Sequence, residues 1–305
     1  MVFFIALAAV LLIGCSTKPP SDSSEKSSSG GKNDKQITVG FSISTLNNPF
    51  FVTLKEGAEK EAKAKGIKLV TVSAGDDPAK QINDIQDLIQ KKVDVLLINP
   101  TDSDAVVTAV KAANDAGIPV ITVDRQANGG EVATHIASDN VKGGQMAADF
   151  IKEKLGGKGN VVVLQGIPGS SAANERGKGF TEGIKGSGLK VVAEQPADFD
   201  RSKGLSVMEN IIQSTKDFKA VFAQNDEMAL GAISALKEAG LKDVVVVGFD
   251  GTDDGVAAVN NGEMAATIAQ QPEVIGQLAI DNVEKAKNGE KLDDFIPVPL
   301  KIVKK

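Results

Sequence analysis

The sequence predicts an α/β fold of two similar lobes, each a parallel sheet with helices on both faces. Three observations lead there. From Gln36 onward, short β-branched runs alternate with helical patterns. The runs are continuously apolar, as strands are when helices cover both sheet faces. The chain also repeats itself at a fixed spacing. Repeated βα units give doubly wound sheets with right-handed crossovers.

The strand candidates, in order, are ITVGFSI (37–43), KLVTVS (68–73), VDVLLIN (93–99), PVITVD (119–124) and ATHIAS (133–138). They continue with NVVVLQG (160–166), KVVAEQ (190–195), AVFAQ (220–224), VVVVGFD (244–250) and ATIAQ (266–270). Helical spacing of apolar residues separates most of them, as at Ile82, Ile85, Leu88 and Ile89, or Ala229, Ile233 and Leu236. Gly66, Gly117, Gly240 and Gly289 mark helix ends. Segment 93–125 aligns with 219–251 through strand, Asn, helix, Ala-Gly stop, strand and Asp. Asn99 precedes Asp124 by 25 residues, and Asn225 precedes Asp250 by the same 25. A second pair, 134–158 and 267–290, follows. The four Asn and Asp residues fall at strand carboxyl ends, where open α/β sheets bind ligands. Turn formation and helix capping are the competing roles for each of them.

The N-terminus has a different character. Residues 1–14 are unbroken apolar, too short to span a bilayer comfortably, and fit a signal peptide. The run ends Leu12-Ile13-Gly14-Cys15, which resembles the lipobox of bacterial lipoproteins. That resemblance implies cleavage before Cys15 and lipid on its thiol. Residues 15–35 then form a Ser-rich tether expected to be disordered. No Lys or Arg precedes the apolar run, so the start codon is expected upstream.

Composition excludes several functions. One Cys allows no internal disulfide, and one His with one Cys cannot build a usual zinc site. A Ser-His-Asp triad would have to use His135, which sits in a strand and reads as structural. No GxGxxG follows a strand and no GxxxxGK[ST] occurs, which argues against a nucleotide-dependent enzyme. Net charge is −6, unsuited to nucleic acid. A leader occupies the place where a repressor would carry its helix-turn-helix. Neither a cofactor, a metal nor a catalytic residue is expected.

Several segments identify a family. Residues 44–51 (STLNNPFF), 98–105 (INPTDSDA), 118–125 (IPVITVDR), 135–140 (HIASDN), 197–205 (ADFDRSKGL), 220–232 (AVFAQNDEMALGA) and 246–252 (VVGFDGT) closely resemble the ribose-binding proteins of bacterial ABC importers. The resemblance covers about residues 36–303. It implies the periplasmic-binding-protein type I fold, two Rossmann-like lobes joined by three crossing segments. The crossings are expected near Ser138–Asp139, Gln270–Gln271 and Val298–Leu300. One lobe is then 36–138 with 271–298, and the other 139–270 with 299–305. The helices near 140–155 and 272–288 would each pack on the lobe opposite their preceding strand.

The resemblance also implies a binding site. Its polar set is Ser44, Asn48, Asn99, Asp124 and Arg125 from the first lobe, and Arg176, Asn225, Asp250 and Gln270 from the second. Its aromatic set is Phe50, Phe51, Phe199 and Phe249, four of the twelve Phe in a chain without Trp or Tyr. Carboxylates and guanidiniums suit sugar hydroxyls, and Phe rings cover the apolar ring faces. Asp124 beside Arg125, and Arg176 opposite Asp250, would neutralise one another. The family often carries a second Arg where this chain has Asn174. The implied ligand is D-ribose or a close pentose; allose, xylose or a furanose signal molecule is the alternative. Galactose-type relatives use a Trp platform and a calcium loop, neither present here. The implied partners are an importer permease and, further, a chemoreceptor. The protein is expected to be a monomer on the outer face of the cell membrane, held there only by lipidated Cys15.

Overall fold

The computed structural model describes residues 36–305. The signal peptide at 1–14, lipidated Cys15 and the tether to residue 35 lie outside the described residues. The first half runs β1 (Thr38–Ile43), α1 (Pro49–Ala64), β2 (Lys68–Ser73), α2 (Pro78–Gln90), β3 (Val95–Ile98), α3 (Val107–Asp115), β4 (Val120–Val123) and β5 (Thr134–Ser138). The second runs α4 (Asn140–Leu155), β6 (Lys158–Gln165), α5 (Ser171–Ile184), β7 (Gly188–Pro196), α6 (Arg201–Ser214), β8 (Ala220–Ala223), α7 (Asp226–Glu238), β9 (Val245–Asp250), α8 (Asp253–Asn261) and β10 (Ala266–Ala269). The chain ends with α9 (Pro272–Asp281), α10 (Val283–Lys287), β11 (Phe295–Val298) and β12 (Lys301–Lys304).

The strands form two six-stranded sheets of one topology, β11-β5-β4-β3-β1-β2 and β12-β10-β9-β8-β6-β7. The pairings are parallel except β10 with β12, which is antiparallel. Alternate residues of each central strand feed opposite cores, as a period of two requires. Val95 and Leu97 pack with Phe41, Leu54 and Ile275 on one face, while Leu96 and Ile98 pack with Ile85, Leu88 and Val110 on the other. The second sheet does the same with Val162 and Leu164 against Val161 and Val163. Helices therefore cover both faces of each sheet. Among the described residues no helix is long and apolar enough to cross a membrane.

The chain passes between lobes three times. After β5 it enters α4, which packs on α5 of the second lobe. After β10 it enters α9, which packs on α1 of the first. Between β11 and β12 it crosses at Pro299–Leu300. The exchanged helices lie close to their hosts because glycines face the contact. A Cβ at Gly144 of α4 would overlap the Arg176 carbonyl of α5, and one at Gly276 of α9 would overlap the Leu54 carbonyl of α1.

Three details differ from the sequence reading. β11 and β12 are absent from the strand candidates, because Pro297 and Pro299 break the apolar pattern. Pro297 is tolerated because β11 is an edge strand. The helix expected over 272–288 is interrupted at Asn282, whose side chain donates to the Leu278 carbonyl at 2.8 Å and competes with the helix ladder.

His135 has a structural place in β5. Its Nδ1 shares a 2.9 Å hydrogen bond with Thr122 Oγ1, and its ring stacks on Phe295 at 5.7 Å. Burial lowers its pKa from 6.5 to about 4. Because the folded value lies below the unfolded one, the neutral imidazole stabilises the fold above pH 6.5. That stability is lost as pH falls towards 4. Between pH 7 and 4.5 the protein should lose about 2 kcal/mol more stability than a His135→Gln variant. Urea unfolding at the two pH values measures this; equal losses would place the imidazole in water.

Candidate functional site: a closed cavity between the lobes

Residues at the carboxyl ends of both sheets line a small buried cavity. The first lobe contributes Asn48, Phe50, Phe51, Asp124 and Arg125; Ala172, Arg176, Phe199, Asn225, Asp250 and Gln270 complete the lining. Every one of them is at most 8% exposed.

Backbone geometry aims several of these side chains. Asp124 follows β4 at φ 61°, and Asp250 ends β9 at φ 118°. Phe199, before α6, has φ 60°. Such values in non-glycine residues cost on the order of 1–3 kcal/mol each and gather at functional sites. Two further positions are helix caps. Asn48 Oδ1 accepts from Phe50 N at 2.9 Å, and Asn225 Oδ1 accepts from Met228 N at 2.9 Å. Capping and cavity lining thus coexist in the same residues.

Two carboxylates and two guanidiniums dominate the electrostatics. Arg125 Nε lies 3.7 Å from Asp124 Oδ2, and Arg176 Nη1 lies 3.6 Å from Asp250 Oδ1. Their formal charges cancel, which makes their burial tolerable. Burial pushes the Asp124 carboxyl up, opposed by Arg125 and then Arg176. Burial also pushes Asp250 well up, opposed chiefly by Arg176. The Arg125 guanidinium sits between the Phe51 ring at 5.0 Å and the Phe199 ring at 5.2 Å, which come from opposite lobes. Phe50 and Phe51 meet edge to face at 5.2 Å.

Two polar atoms of the lining, Arg125 Nε and Gln270 Oε1, are buried without a hydrogen-bond partner. Buried polar groups are rarely left so. The mouth is shut by contacts between lobes. Gln126 N donates to Ser171 Oγ at 3.0 Å, Gln126 Nε2 to Glu175 Oε1 at 3.1 Å, and Ser171 N to Ser103 Oγ at 3.2 Å. A larger groove flanks the crossings, but its Asp253, Asp254 and Glu273 are exposed and Arg201 already pairs with its Glu227 and Asp254.

The expected residues divide into lining and support. Ser44, Asn99 and Phe249 do not line the cavity. Asn99 lies behind Asp124, with Oδ1 accepting from Ser44 N at 3.1 Å and Nδ2 donating to Asp124 Oδ2 at 3.3 Å. Phe249 is a correction. It belongs to the core between β9 and α4, with its ring 3.8 Å below the Arg176 guanidinium. Neighbours along a strand point to opposite faces, so Phe249 and Asp250 cannot share one wall. Asn174 is exposed and lies outside the cavity. Ala172 escaped the sequence reading, since a small apolar residue carries no chemical signal. Asn140 and Gln224 escaped it too: Asn140 Oδ1 accepts from Arg176 Nε at 2.8 Å, and the Gln224 carbonyl accepts from Arg176 Nη1 at 2.7 Å. Among the described residues no group of three or more His, Cys, Asp or Glu is placed to hold a metal.

Comparison with known proteins decides the family. Residues 39–291 match the periplasmic binding protein domain. The chain belongs to the periplasmic binding protein family. It is 53% identical over 98% of its length to the ribose import binding protein RbsB of Bacillus subtilis, covering 96% of that protein. It is 56% identical over 88% of its length to RbsB of Escherichia coli, covering 90% of that one. A solute binding protein of an ABC transporter from Bacillus halodurans, solved with bound myo-inositol, superposes with a TM-score of 0.84 at 32% identity. That match covers 88% of this chain and 94% of the other. This periplasmic binding protein has the type I fold, works outside the cytoplasm and is not an enzyme.

Proposed function

We propose that the cavity takes D-ribose or a close pentose, and that the closed protein delivers it to the permease of an ABC importer. The observation that carries this reading is the small buried cavity with paired Asp and Arg residues at its edge and Phe51 and Phe199 among its walls. A pyranose has the matching chemistry, hydroxyls around an apolar ring. Hydrogen bonds to charged partners contribute roughly 1.5–3 kcal/mol each. The ribose-binding names of the relatives over nearly the whole chain support the same choice.

The lobes are 36–138 with 271–298 and 139–270 with 299–305. They close by bending at the three crossings, because only a ligand that touches both lobes favours the closed state. Lipid on Cys15 holds the protein, a monomer, at the outer face of the cell membrane. A chemoreceptor is a second reader of the closed state.

Calorimetric titration with D-ribose, D-allose, D-xylose and D-galactose tests the ligand. Ribose is expected to bind tightest, with a dissociation constant at or below the micromolar range, and to be recovered unchanged. Tight binding of another sugar with none of ribose overturns the assignment; chemical conversion of the sugar overturns the transport reading.

A further inference from the structure

The contacts that shut the mouth continue into the ligand cavity. Gln126 is the residue after Arg125, and Glu175 is the residue before Arg176. Each lobe therefore presents an arginine to the cavity and an adjacent polar residue to the rim. Those rim residues meet each other, Gln126 Nε2 donating to Glu175 Oε1 at 3.1 Å. The Asn140 side chain and the Arg176 charge both favour the Glu175 carboxylate against its burial. Asn140 in turn accepts from Arg176 Nε at 2.8 Å and is 2% exposed.

Asn140 is the first residue of α4, directly after the first crossing. It cannot easily move away from α5, because Gly144 one turn later rests on the Arg176 carbonyl. Side chains thus reach from the opposite lobe, through Gln126 and Glu175, to the side of Asn140 and the guanidinium in the cavity.

We propose that Glu175 is a positioning residue that couples closure of the lobes to the grip of Arg176 on the ligand. The proposal rests on the sugar-binding reading of the cavity. When the lobes part, Gln126 leaves Glu175. The half-buried carboxylate then turns towards water, and its charge is withdrawn from beside Asn140 and Arg176. Arg176 keeps the Gln224 carbonyl, Asn140 and Asp250 but loses the adjacent Glu175 charge as a fixed neighbour. Closure therefore completes the orientation of Arg176. By linkage, a ligand held by Arg176 favours closure to the same degree.

The test is the dissociation rate of D-ribose, or of the tightest sugar of the panel, by stopped-flow displacement. Gln126→Ala and Glu175→Ala are each expected to speed dissociation about tenfold, with association within about threefold of the unmodified protein. The double variant should dissociate no faster than Glu175→Ala, because both changes break one chain. Glu175→Gln keeps an acceptor for Gln126 and should recover to within about threefold. The melting temperature without sugar should stay within about 2 °C, a readout that a purely structural role would move. Dissociation within twofold for both single variants overturns the coupling. So do effects that multiply in the double variant, or a lowered melting temperature without rescue by Glu175→Gln. If the unmodified protein binds none of the sugars, the sugar reading falls as well; if it binds and the variants match it, only the coupling falls.

Discussion

Asp250→Ala is expected to weaken D-ribose binding by at least about 100-fold. Its carboxylate lies 3.6 Å from Arg176 and accepts from Gln270 Nε2 at 2.8 Å. Alanine leaves the Arg176 guanidinium buried without its counter-charge in the closed state. It also removes the partner of Gln270, whose Oε1 already lacks one. Breaking a buried ion pair from one side costs about 3–5 kcal/mol, or two to three and a half decades of affinity. Asp250→Asn keeps the shape and the acceptor for Gln270 but not the charge, and should fall between alanine and the native residue. Stability without sugar should not drop in step. Burial opposes the charge of Asp250, and its φ of 118° is a strained one, so its native conformation costs the fold stability. Calorimetry with both variants measures the effect; affinity within threefold of native for Asp250→Ala would remove it from the site.

Gly144→Ala should have the largest effect on the fold. The added methyl meets the Arg176 carbonyl and the Phe180 amide nitrogen, both backbone atoms of a buried helix. Neither can turn aside as a side chain would, so α4 must lift from α5. Overpacking of this kind costs about 1–3 kcal/mol. At about 2–4 °C per kcal/mol for a protein of this size, the melting temperature should fall by roughly 4–10 °C. Affinity should fall too, because Arg176 rides on the displaced helix. Differential scanning calorimetry checks the first effect, and a shift under 2 °C would show that the two helices separate freely.

The architecture was largely legible because its signals are local and repeated. The 25-residue spacing of Asn99–Asp124 and Asn225–Asp250 marks equivalent strands. Both carboxylates end up in one cavity. The two asparagines share a sequence position but not a role. Asn225 lines the cavity while capping α7, whereas Asn99 stands behind Asp124 and holds it. Nothing in the spacing separates those outcomes, since they depend on which way a side chain turns after its strand. Phe249 shows the same limit: composition marks it as a scarce aromatic, but strand alternation puts it under Arg176 rather than beside the cavity. The Gln126–Glu175 contact joins residues 49 apart in sequence and opposite lobes in space. It belongs to the closed arrangement, which no local pattern encodes. β11 and β12 were obscured by prolines that an edge strand tolerates.

Those two short strands determine when the fold can finish. Each borders the otherwise open edge of an older strand, Phe295 pairing with His135 and Lys304 with Ala266. As the chain is synthesised from its N-terminus, neither sheet gains its edge strand until β11 and β12 emerge. Until then one edge of β5 and of β10 is unpaired, and closing the first sheet requires joining His135 and Phe295, 160 residues apart. Such long-range closure is slow. Each sheet is therefore completed last at one edge, by a strand that follows every other strand of that sheet in the chain.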